Sequence, residues 1–257
     1  MTTISILGSG WLGMPLAQHF LKQGFQVNLS TRTADRIPEL DESGAKPFLI
    51  DIDALSSNLQ SFLNASILII NITSKNIDGF KQLAAAIEAS PVKHVLFVSS
   101  TSVYQNVPQV VSEADIELQS QSPLLDIEKI LADVPGCSAT LLRFSGLIGD
   151  GRHPGRFFRN GKVVQNPDAP VNLIHQQDCL GIIDQIIQQN CWGEVLNGCA
   201  DTHPSKREFY SAAAEKLGRP APEFSELAGQ GGKIVSNEKV KKRLNYAFSY
   251  ADVYDAI

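Results

Sequence analysis

The feature that most constrains the fold of this chain is a glycine-rich segment near its start, made of Gly8, Ser9, Gly10, Trp11, Leu12 and Gly13. It fits the pattern G-x-G-x-x-G, follows a short apolar run typical of a buried strand, and precedes apolar residues at helical spacing. In this strand–turn–helix setting the pattern predicts a loop that binds the diphosphate of a dinucleotide. Gly8 would permit the tight turn, Gly10 would let the diphosphate approach the backbone, and Gly13 would let helix and strand pack closely. The alternative is a glycine turn without a ligand.

Short apolar runs alternate with helical patterns through the first 150 residues. Strands that are apolar throughout and separated by helices predict a parallel sheet with helices on both faces. We therefore expect an α/β fold, a Rossmann-type doubly wound parallel sheet, over residues 1–150. The segment after residue 150 is rich in Gly, Pro and Arg, which predicts a smaller mixed C-terminal substrate lobe over residues 151–257. Within that lobe, residues 171–195 are expected to return to the sheet domain.

Composition excludes several classes of function. The net charge of −5 argues against a dedicated nucleic-acid binder, which usually carries a basic face. No apolar run reaches the roughly 18 residues that a membrane span requires, and the first residues do not resemble a signal peptide. The four cysteines form no C-x-x-C pair and suggest buried thiols in a reducing compartment, so we expect a cytoplasmic protein without a bound metal. The oligomeric state stays open.

The end of the second predicted strand bears on the choice of cofactor. NAD sites usually place Asp or Glu there to bind the ribose hydroxyls, but this chain has Ser30, Thr31, Arg32 and Thr33. A guanidinium flanked by hydroxyls suits a 2′-phosphate, so NADP is favoured, with NAD as the alternative. Arg32 could equally be a solvated loop residue. Asp51, at the end of the third strand, either binds the adenine amino group or caps the following turn.

Five sequence blocks occur in an order that resembles a known family: ILGSGWLGMPLA, VSSTSVY, LLRFSGLIGDGRHP, NLIHQQD and LNGCADTHPSKREFYSAAAEKLG. The chain resembles the atypical branch of the extended short-chain dehydrogenase/reductase superfamily, the NAD(P)-dependent epimerase/dehydratase-like proteins often labelled nucleoside-diphosphate-sugar epimerases. The resemblance implies that the glycine loop, Thr31, Arg32 and Asp51 contact the adenosine half of the cofactor. It also implies contacts to the rest of the cofactor from Asn71, Ile72, Thr73, Ser99, Ser145 and Gly146.

One departure from the family affects the chemistry. Active members carry a Tyr that transfers a proton and a Lys four residues later, and Ser100 matches the family's catalytic Ser or Thr. Anchored on Lys129, the Tyr position holds Leu125; other alignments give Leu124 with Glu128, or Ser120 with Leu124. No Tyr occurs between Tyr104 and Tyr210, so the usual proton relay cannot operate.

Two residues are candidates to compensate for the missing Tyr. Tyr104, four residues after Ser100, is either a substitute proton donor or a residue that packs beside the pocket. Lys129 is either a cofactor contact or a solvated helix residue. A positioned general acid is worth about 10²- to 10⁴-fold in rate, so its loss would slow the reaction without removing hydride transfer.

A basic segment follows the sixth predicted strand and contains Arg152, His153, Arg156, Arg159 and Lys162. Its arginines, represented by Arg152 and Arg156, would bind an anionic small-molecule substrate such as a sugar nucleotide; a solvated loop or a clamp on the cofactor phosphates is the alternative. Asn172 and His175 border the substrate cavity if the resemblance holds. The sequence therefore predicts an NADP-dependent oxidoreductase or epimerase/dehydratase-type enzyme, or else a non-catalytic NADP(H)-binding sensor. A flavin protein is a weaker third hypothesis.

Overall fold

The computed structural model describes residues 2–116, 121–159, 161–226 and 231–257. The first half contains β1 (Thr3–Leu7), α1 (Gly13–Lys22), β2 (Gln26–Thr31), α2 (Ile37–Glu42), β3 (Lys46–Leu49), α3 (Asn58–Phe62), β4 (Ile67–Ile70), α4 (Ile77–Glu88), β5 (His94–Ser100) and β6 (Val110–Val111). The second half contains α5 (Pro123–Ala132), β7 (Ser138–Phe144), β8 (Gly146–Ile148), β9 (Leu173–His175), α6 (Gln176–Gln188), β10 (Val195–Gly198), α7 (Lys206–Glu215), β11 (Ile234–Val235) and α8 (Glu238–Leu244).

Seven strands form the main sheet in the order β10-β7-β5-β4-β1-β2-β3. β1 pairs in parallel with β2 on one side and with β4 on the other. The strand order therefore reverses between β1 and β4, and in open α/β sheets ligands bind outside the carboxyl ends of the strands at such a point. The α/β fold with a Rossmann-type parallel sheet is confirmed.

The strands are buried because their residues are apolar on both faces. All four residues of β4 are buried, and so are the apolar residues of β1. Helix side chains cover the strands: Leu16 and Phe20 of α1 and Phe80 and Leu83 of α4 are fully buried. This double cover explains why the strands read as continuous apolar runs rather than as alternating patterns.

The chain divides into two compact units. The first comprises Met1–Ser100, Gln121–Leu142 and Ile186–Val195, and the second comprises Thr101–Ser120, Arg143–Gln185 and Leu196–Ile257. This division differs from the expected break at residue 150. Of the segment expected to return to the sheet, β9 pairs with β8 in a small separate sheet, whereas β10 is the edge strand of the main sheet.

The second unit has its own core and its own anchors. Its buried cluster includes Ile148, Leu173 and Phe209. A capping box starts α7, since the Ser205 hydroxyl accepts from the Glu208 amide and the Glu208 carboxylate accepts from the Ser205 amide. None of the helices in the described residues is long and apolar enough to cross a membrane.

Candidate cofactor-binding site

The glycine loop between β1 and α1 is shaped by backbone contacts. Gly8 has φ +104°, and a Cβ on it would lie 2.6 Å from the Asn71 carbonyl oxygen. A Cβ on Gly13 would lie 1.8 Å from the Gly8 carbonyl oxygen. In contrast, a Cβ on Gly10 would meet no described atom of the protein within 4 Å. The fold therefore needs glycine at positions 8 and 13, whereas at position 10 glycine matters only to a molecule lying over the loop.

Helix α1 presents its amino-terminal end to this loop without a side-chain cap. Leu12 occupies the N-cap position and makes no capping hydrogen bond, and the first turn holds no acidic residue. The N–H groups at a helix start and the positive end of the helix dipole attract anions when no side chain satisfies them. This arrangement suits a diphosphate, although a helix start alone does not define a site.

A groove of about 300 Å³ opens at the carboxyl ends of β1 to β4, within the first unit. Its lining includes eight of the predicted cofactor residues: Gly8, Ser9, Gly10, Thr31, Arg32, Asn71, Ile72 and Thr73. The structure thus brings together the glycine loop, the end of β2 and the loop after β4. Two other predicted residues lie beside the loop: Trp11 is half-buried and Leu12 is buried.

The end of β2 carries hydroxyls and cations rather than a carboxylate. The Ser30 hydroxyl accepts a hydrogen bond of 2.9 Å from the Gly8 amide, which ties β2 to the glycine loop. The Thr31 side chain is buried and its hydroxyl accepts from the Thr33 amide. Arg32 is exposed on the groove. The side chains at this position can therefore bind a phosphate but offer no acceptor for ribose hydroxyls of the kind Asp supplies.

Arg36 is a groove residue that the sequence analysis missed. Its Nη1 donates to both the carbonyl oxygen and the hydroxyl of Ser9, each at 3.1 Å. Its Nε and Nη2 donate to the two carboxylate oxygens of Glu39 at 3.0 and 3.1 Å, and this hydrogen bonding raises the pKa of Arg36. The signal was present as a second Arg four residues after Arg32, at the start of a helical turn. Arg36 therefore ties the glycine loop to the segment before α2.

Asp51 makes the turn contact that was one of its two predicted roles. Its Oδ1 accepts from the Asp53 amide at 3.0 Å. The residues on either side, Ile50 and Ile52, line the groove with apolar side chains that could pack against a base. The adenine contact of Asp51 stays a prediction.

The orientation of helix α5 shows which residues occupy the positions of the family's Tyr and Lys. Glu128 is only 3% exposed, and its Oε1 accepts a hydrogen bond of 2.5 Å from the hydroxyl of Ser99, near the end of β5. Lys129 is exposed. The inward-facing position is thus the one that holds Glu128, and Leu124, four residues earlier, packs against the core of the first unit.

The structure therefore favours the alignment that pairs Leu124 with Glu128 over the one that pairs Leu125 with Lys129. Ser120, which the third alignment places at the Tyr position, lies outside the described residues. A cofactor contact by Lys129 stays a prediction. Ser100 ends β5 and is half-buried.

Tyr104 lies in a buried polar network of the second unit. Its side chain is 2% exposed; its hydroxyl donates to Asn197 Oδ1 at 3.0 Å and accepts from Arg143 Nη1 at 2.8 Å. The Arg143 guanidinium also lies 5.1 Å from the ring centroid. Burial raises the pKa of Tyr104, and Arg143 opposes this shift. These contacts favour the packing role that was the alternative to a catalytic one.

Glu113 extends the same network and adds a negative charge to it. Its carboxylate accepts a hydrogen bond of 2.6 Å from the Asn197 amide. Burial raises the pKa of Glu113, whereas hydrogen bonds and the charges of Lys239 and Arg143 lower it. The network pairs a buried guanidinium with polar partners, which is how folded proteins accommodate buried charge.

Ser145 and Gly146 have structural partners in the second unit. The Ser145 hydroxyl accepts from Thr101 at 3.4 Å, and its amide donates to the Gly198 carbonyl. Ser145 also hydrogen-bonds the Cys199 thiol, whose pKa burial raises to about 12. A Cβ on Gly146 would lie 2.8 Å from Leu173 Cδ2, so glycine here permits β8 and β9 to approach. Their contacts with the cofactor stay predictions.

The predicted substrate residues Asn172 and His175 each have contacts of their own in the second unit. The Asn172 amide group donates to the Lys233 carbonyl and its oxygen accepts from the Val235 amide. His175 Nδ1 accepts from the Gln177 amide, the ring packs 3.7 Å from that of Tyr250, and burial lowers the pKa of His175. Arg152 and Arg156 are exposed. Their role in substrate binding stays a prediction.

Within the described residues, no group of three His, Cys, Asp or Glu side chains is arranged to hold a metal ion. The fold is a Rossmann-type α/β fold with a groove at the carboxyl ends of its first strands. Residues 8–167 match the sequence model of a family described as NAD(P)H-binding, and the chain belongs to that family.

One relative and two solved structures illustrate what this chain is similar to. "Protein YeeZ" of Escherichia coli strain K12 is 32% identical over 268 residues, which cover 98% of this chain and 97% of the relative. A structure from Methylobacillus flagellatus, assigned as an NAD-dependent epimerase/dehydratase, superposes with a TM-score of 0.82 at 25% identity, covering 99% of this chain and 96% of the other. UDP-glucuronic acid 4-epimerase from Bacillus cereus, in complex with NAD, shares the fold with a TM-score of 0.79 at 17% identity, over 99% of this chain and 95% of that one.

Proposed function

We propose that the chain binds NADP(H) in the groove and catalyses oxidoreductase or sugar-nucleotide epimerase/dehydratase-type chemistry without the usual Tyr acid. The observation that carries the proposal is the pair of guanidinium groups that line the groove between β2 and α2. Arg32 is exposed on the groove and Arg36 is anchored to Ser9, and no carboxylate stands between residues 30 and 34. The NAD(P)H-binding family supplies the cofactor class, and these two residues favour the phosphorylated form.

The preference for NADP follows from charge and geometry. A 2′-phosphate carries about two negative charges and accepts several hydrogen bonds, which a guanidinium fork matches. The Nε and Nη2 of Arg36 donate to Glu39 in an exposed ion pair, whereas Nη1 donates to Ser9. A phosphate could therefore replace Glu39 as the acceptor while Nη1 stays bound to Ser9. Exposed ion pairs of this type contribute little to stability, so replacing Glu39 by a phosphate costs little free energy.

The chemistry would rely on residues other than a Tyr–Lys pair. A nicotinamide cofactor supplies hydride transfer when bound. The protein would then hold the substrate carbonyl or hydroxyl near the end of β5, where Ser100 is half-buried. Loss of a positioned acid lowers the rate by about 10²- to 10⁴-fold, which is compatible with slow turnover.

A second candidate function is a non-catalytic sensor of the NADP(H) pool. The observation that favours it is the pairing of Leu124 with Glu128 on the inward side of α5, since an apolar side chain cannot transfer a proton. Such a protein would bind the reduced and oxidised cofactors with different affinity and would not turn over.

Binding is tested by fluorescence titration of the purified chain with NADPH and NADH. Arg32→Asp should weaken NADPH binding about tenfold or more, with a much smaller loss for NADH, because a contact between charged groups is removed and a repulsion added. Lys81→Gln is the matched control, since Lys81 is exposed and pairs only with Asp78 on α4 among described residues. Equal losses for both cofactors would overturn the NADP preference.

Turnover is tested by following NADPH oxidation on a panel of carbonyl compounds and sugar nucleotides. Measurable oxidation of at least one substrate supports the enzyme. Tight binding of NADPH with no turnover across the panel supports the sensor. Failure of both pyridine nucleotides to bind at millimolar concentration would overturn both functions.

A further inference from the structure

The second unit contains a cavity of its own. It has a volume of about 530 Å³ and is lined by Pro154, Gly155, Phe158, Arg159, Tyr210, Ala214, Arg219, Pro220 and Pro222. This volume lies in the range of pockets that bind small molecules, roughly 300–1,000 Å³. All lining residues belong to the second unit, so the cavity can be considered without the cofactor groove.

The cavity has stiff walls. A short helical turn, Pro154–Arg156, packs on α7, and a Cβ on Gly155 would lie 2.1 Å from the Ala213 carbonyl oxygen. Gly218, with φ +63°, lies in the turn after α7, and the next residue donates its amide back to the Ala214 carbonyl. Proline at positions 220 and 222, in the segment after α7 that also lines the cavity, fixes φ at both positions. A preformed pocket of this kind loses little entropy when a ligand enters.

Two arginines, Arg159 and Arg219, are the charged residues among those that line this cavity. Loss of hydration lowers the pKa of Arg159, and the neighbouring charges of Arg219 and Arg156 lower it further. Among the described residues, no carboxylate forms a salt bridge with any of these three. Arg207, on the same helix as Tyr210, contrasts with them because it lies 3.6 Å from Asp168 and covers the ring of Phe224. Guanidinium groups gathered without a counter-ion favour a multiply charged anion.

Aromatic rings form the apolar part of the wall. The rings of Phe158 and Tyr210 meet edge to face with centroids 4.7 Å apart, and Phe209 supports Tyr210 from the core at 5.5 Å. Burial raises the pKa of Tyr210, so its hydroxyl stays protonated and can donate a hydrogen bond. Ring walls next to a guanidinium pair suit a ligand that joins a flat ring to an anionic group.

We propose that this cavity binds a small molecule in which a phosphate dianion is attached to a flat ring, with the phosphate between Arg159 and Arg219 and the ring against Phe158 and Tyr210. Mononucleotides and aryl phosphates share this chemistry. The proposal goes beyond the cofactor function, since none of its residues lines the groove at the carboxyl ends of β1 to β4.

Calorimetric titration of the full chain with phenyl phosphate, UMP and inorganic phosphate tests the proposal. Phenyl phosphate and UMP should each bind more tightly than inorganic phosphate by about tenfold, because a stacked ring adds contact area. Tighter binding of UMP than of phenyl phosphate identifies a nucleotide as the source of the chemistry, and the reverse identifies an aryl phosphate. Absence of binding by all three probes at millimolar concentration would overturn the proposal, as would equal affinity for all three.

Two variants locate the binding. Arg159→Gln and Arg219→Gln should each weaken phenyl phosphate binding about tenfold, the usual size for a charge-assisted contact. Arg207→Gln is the matched control and should leave it unchanged. Equal affinity in all four proteins would mean that the anion binds elsewhere, and the proposal would be wrong.

Variants of the cofactor groove distinguish this proposal from the proposed function. Neither Arg159→Gln nor Arg219→Gln should alter the NADPH titration, and Arg32→Asp should leave phenyl phosphate binding unchanged. If Arg32→Asp removes phenyl phosphate binding, the probe occupies the groove and the second cavity is not its site. If NADPH fails to bind while phenyl phosphate binds and depends on Arg159, the cofactor function fails and the second site stands.

Discussion

The cofactor groove and the second cavity are built in different ways. The groove is shaped by backbone at the carboxyl ends of neighbouring strands, with Gly8 and Gly13 held against carbonyl oxygens. The cavity is shaped by side chains from three separate stretches, namely a turn after β8, helix α7 and the proline-containing segment after it. A site made of backbone leaves a fixed spacing of glycines in the sequence. A site made of side chains leaves no fixed spacing of residues in the sequence, so it could not be predicted from the sequence.

The largest effect is expected from Gly13→Ala, which tests whether backbone contacts shape the groove. The new Cβ would lie 1.8 Å from the Gly8 carbonyl oxygen, so α1 or β1 must shift, at a cost of about 3 kcal/mol or more. The melting temperature should fall sharply and NADPH binding should be lost. Thermal unfolding and NADPH titration measure the two effects.

Gly10→Ala is the control for that variant. Its Cβ meets no described protein atom, so the melting temperature should stay near that of the wild type while NADPH binding weakens. If Gly10→Ala lowered the stability as much as Gly13→Ala, the idea that Gly13 serves folding while Gly10 serves ligand binding would be wrong.

Gly155→Ala tests the corresponding contact in the second cavity. A Cβ 2.1 Å from the Ala213 carbonyl oxygen would push the turn off α7, and we expect a loss of about 3 kcal/mol or slightly less in the free energy of unfolding. Phenyl phosphate binding should fall with it, and NADPH binding should persist. Chemical denaturation monitored by circular dichroism measures the stability. An unchanged denaturation midpoint would show that the turn around Gly155 does not pack tightly on α7.

Tyr104→Phe tests whether the buried network serves structure or catalysis. Removing the hydroxyl deletes one buried hydrogen bond to Asn197 and one to Arg143, which should cost about 2 kcal/mol. Tyr254→Phe is the control, because Tyr254 is 38% exposed. If NADPH oxidation occurs, its rate should change little in Tyr104→Phe; a drop of about 10²-fold or more with intact stability would instead make Tyr104 the proton donor.

The smallest effect concerns pH. Burial lowers the pKa of His175 below its unfolded value of about 6.5, so its contribution to stability is present above that pH. The contribution is lost as the pH falls toward the folded pKa, because the unfolded chain binds the proton first. His175→Asn keeps an acceptor for the Gln177 amide but does not titrate. The stability difference between wild type and variant should therefore narrow from pH 7 to pH 5; a constant difference would contradict the assignment.

The fold and the cofactor groove could be predicted because each depends on local pattern. Apolar runs such as β4 and the glycine spacing are dictated by backbone geometry. The orientation of α5 could not be predicted, since Leu124 and Leu125 are both apolar and the sequence left open whether Glu128 or Lys129 occupies the position of the family's Lys. Only packing shows that the carboxylate faces Ser99. Arg36 was missed because its contact to Ser9 crosses 27 residues of chain.

The bond from Arg36 to Ser9 has a kinetic consequence. Hydrogen bonds made within the chain hold the phosphate loop on both sides, from Ser30 at β2 and from Arg36 before α2. A dinucleotide arriving from solution would meet amides already aimed outward, and no segment of the first unit would have to rearrange before the diphosphate docked. Stopped-flow capture of NADPH should accordingly give a single phase whose rate rises linearly with concentration.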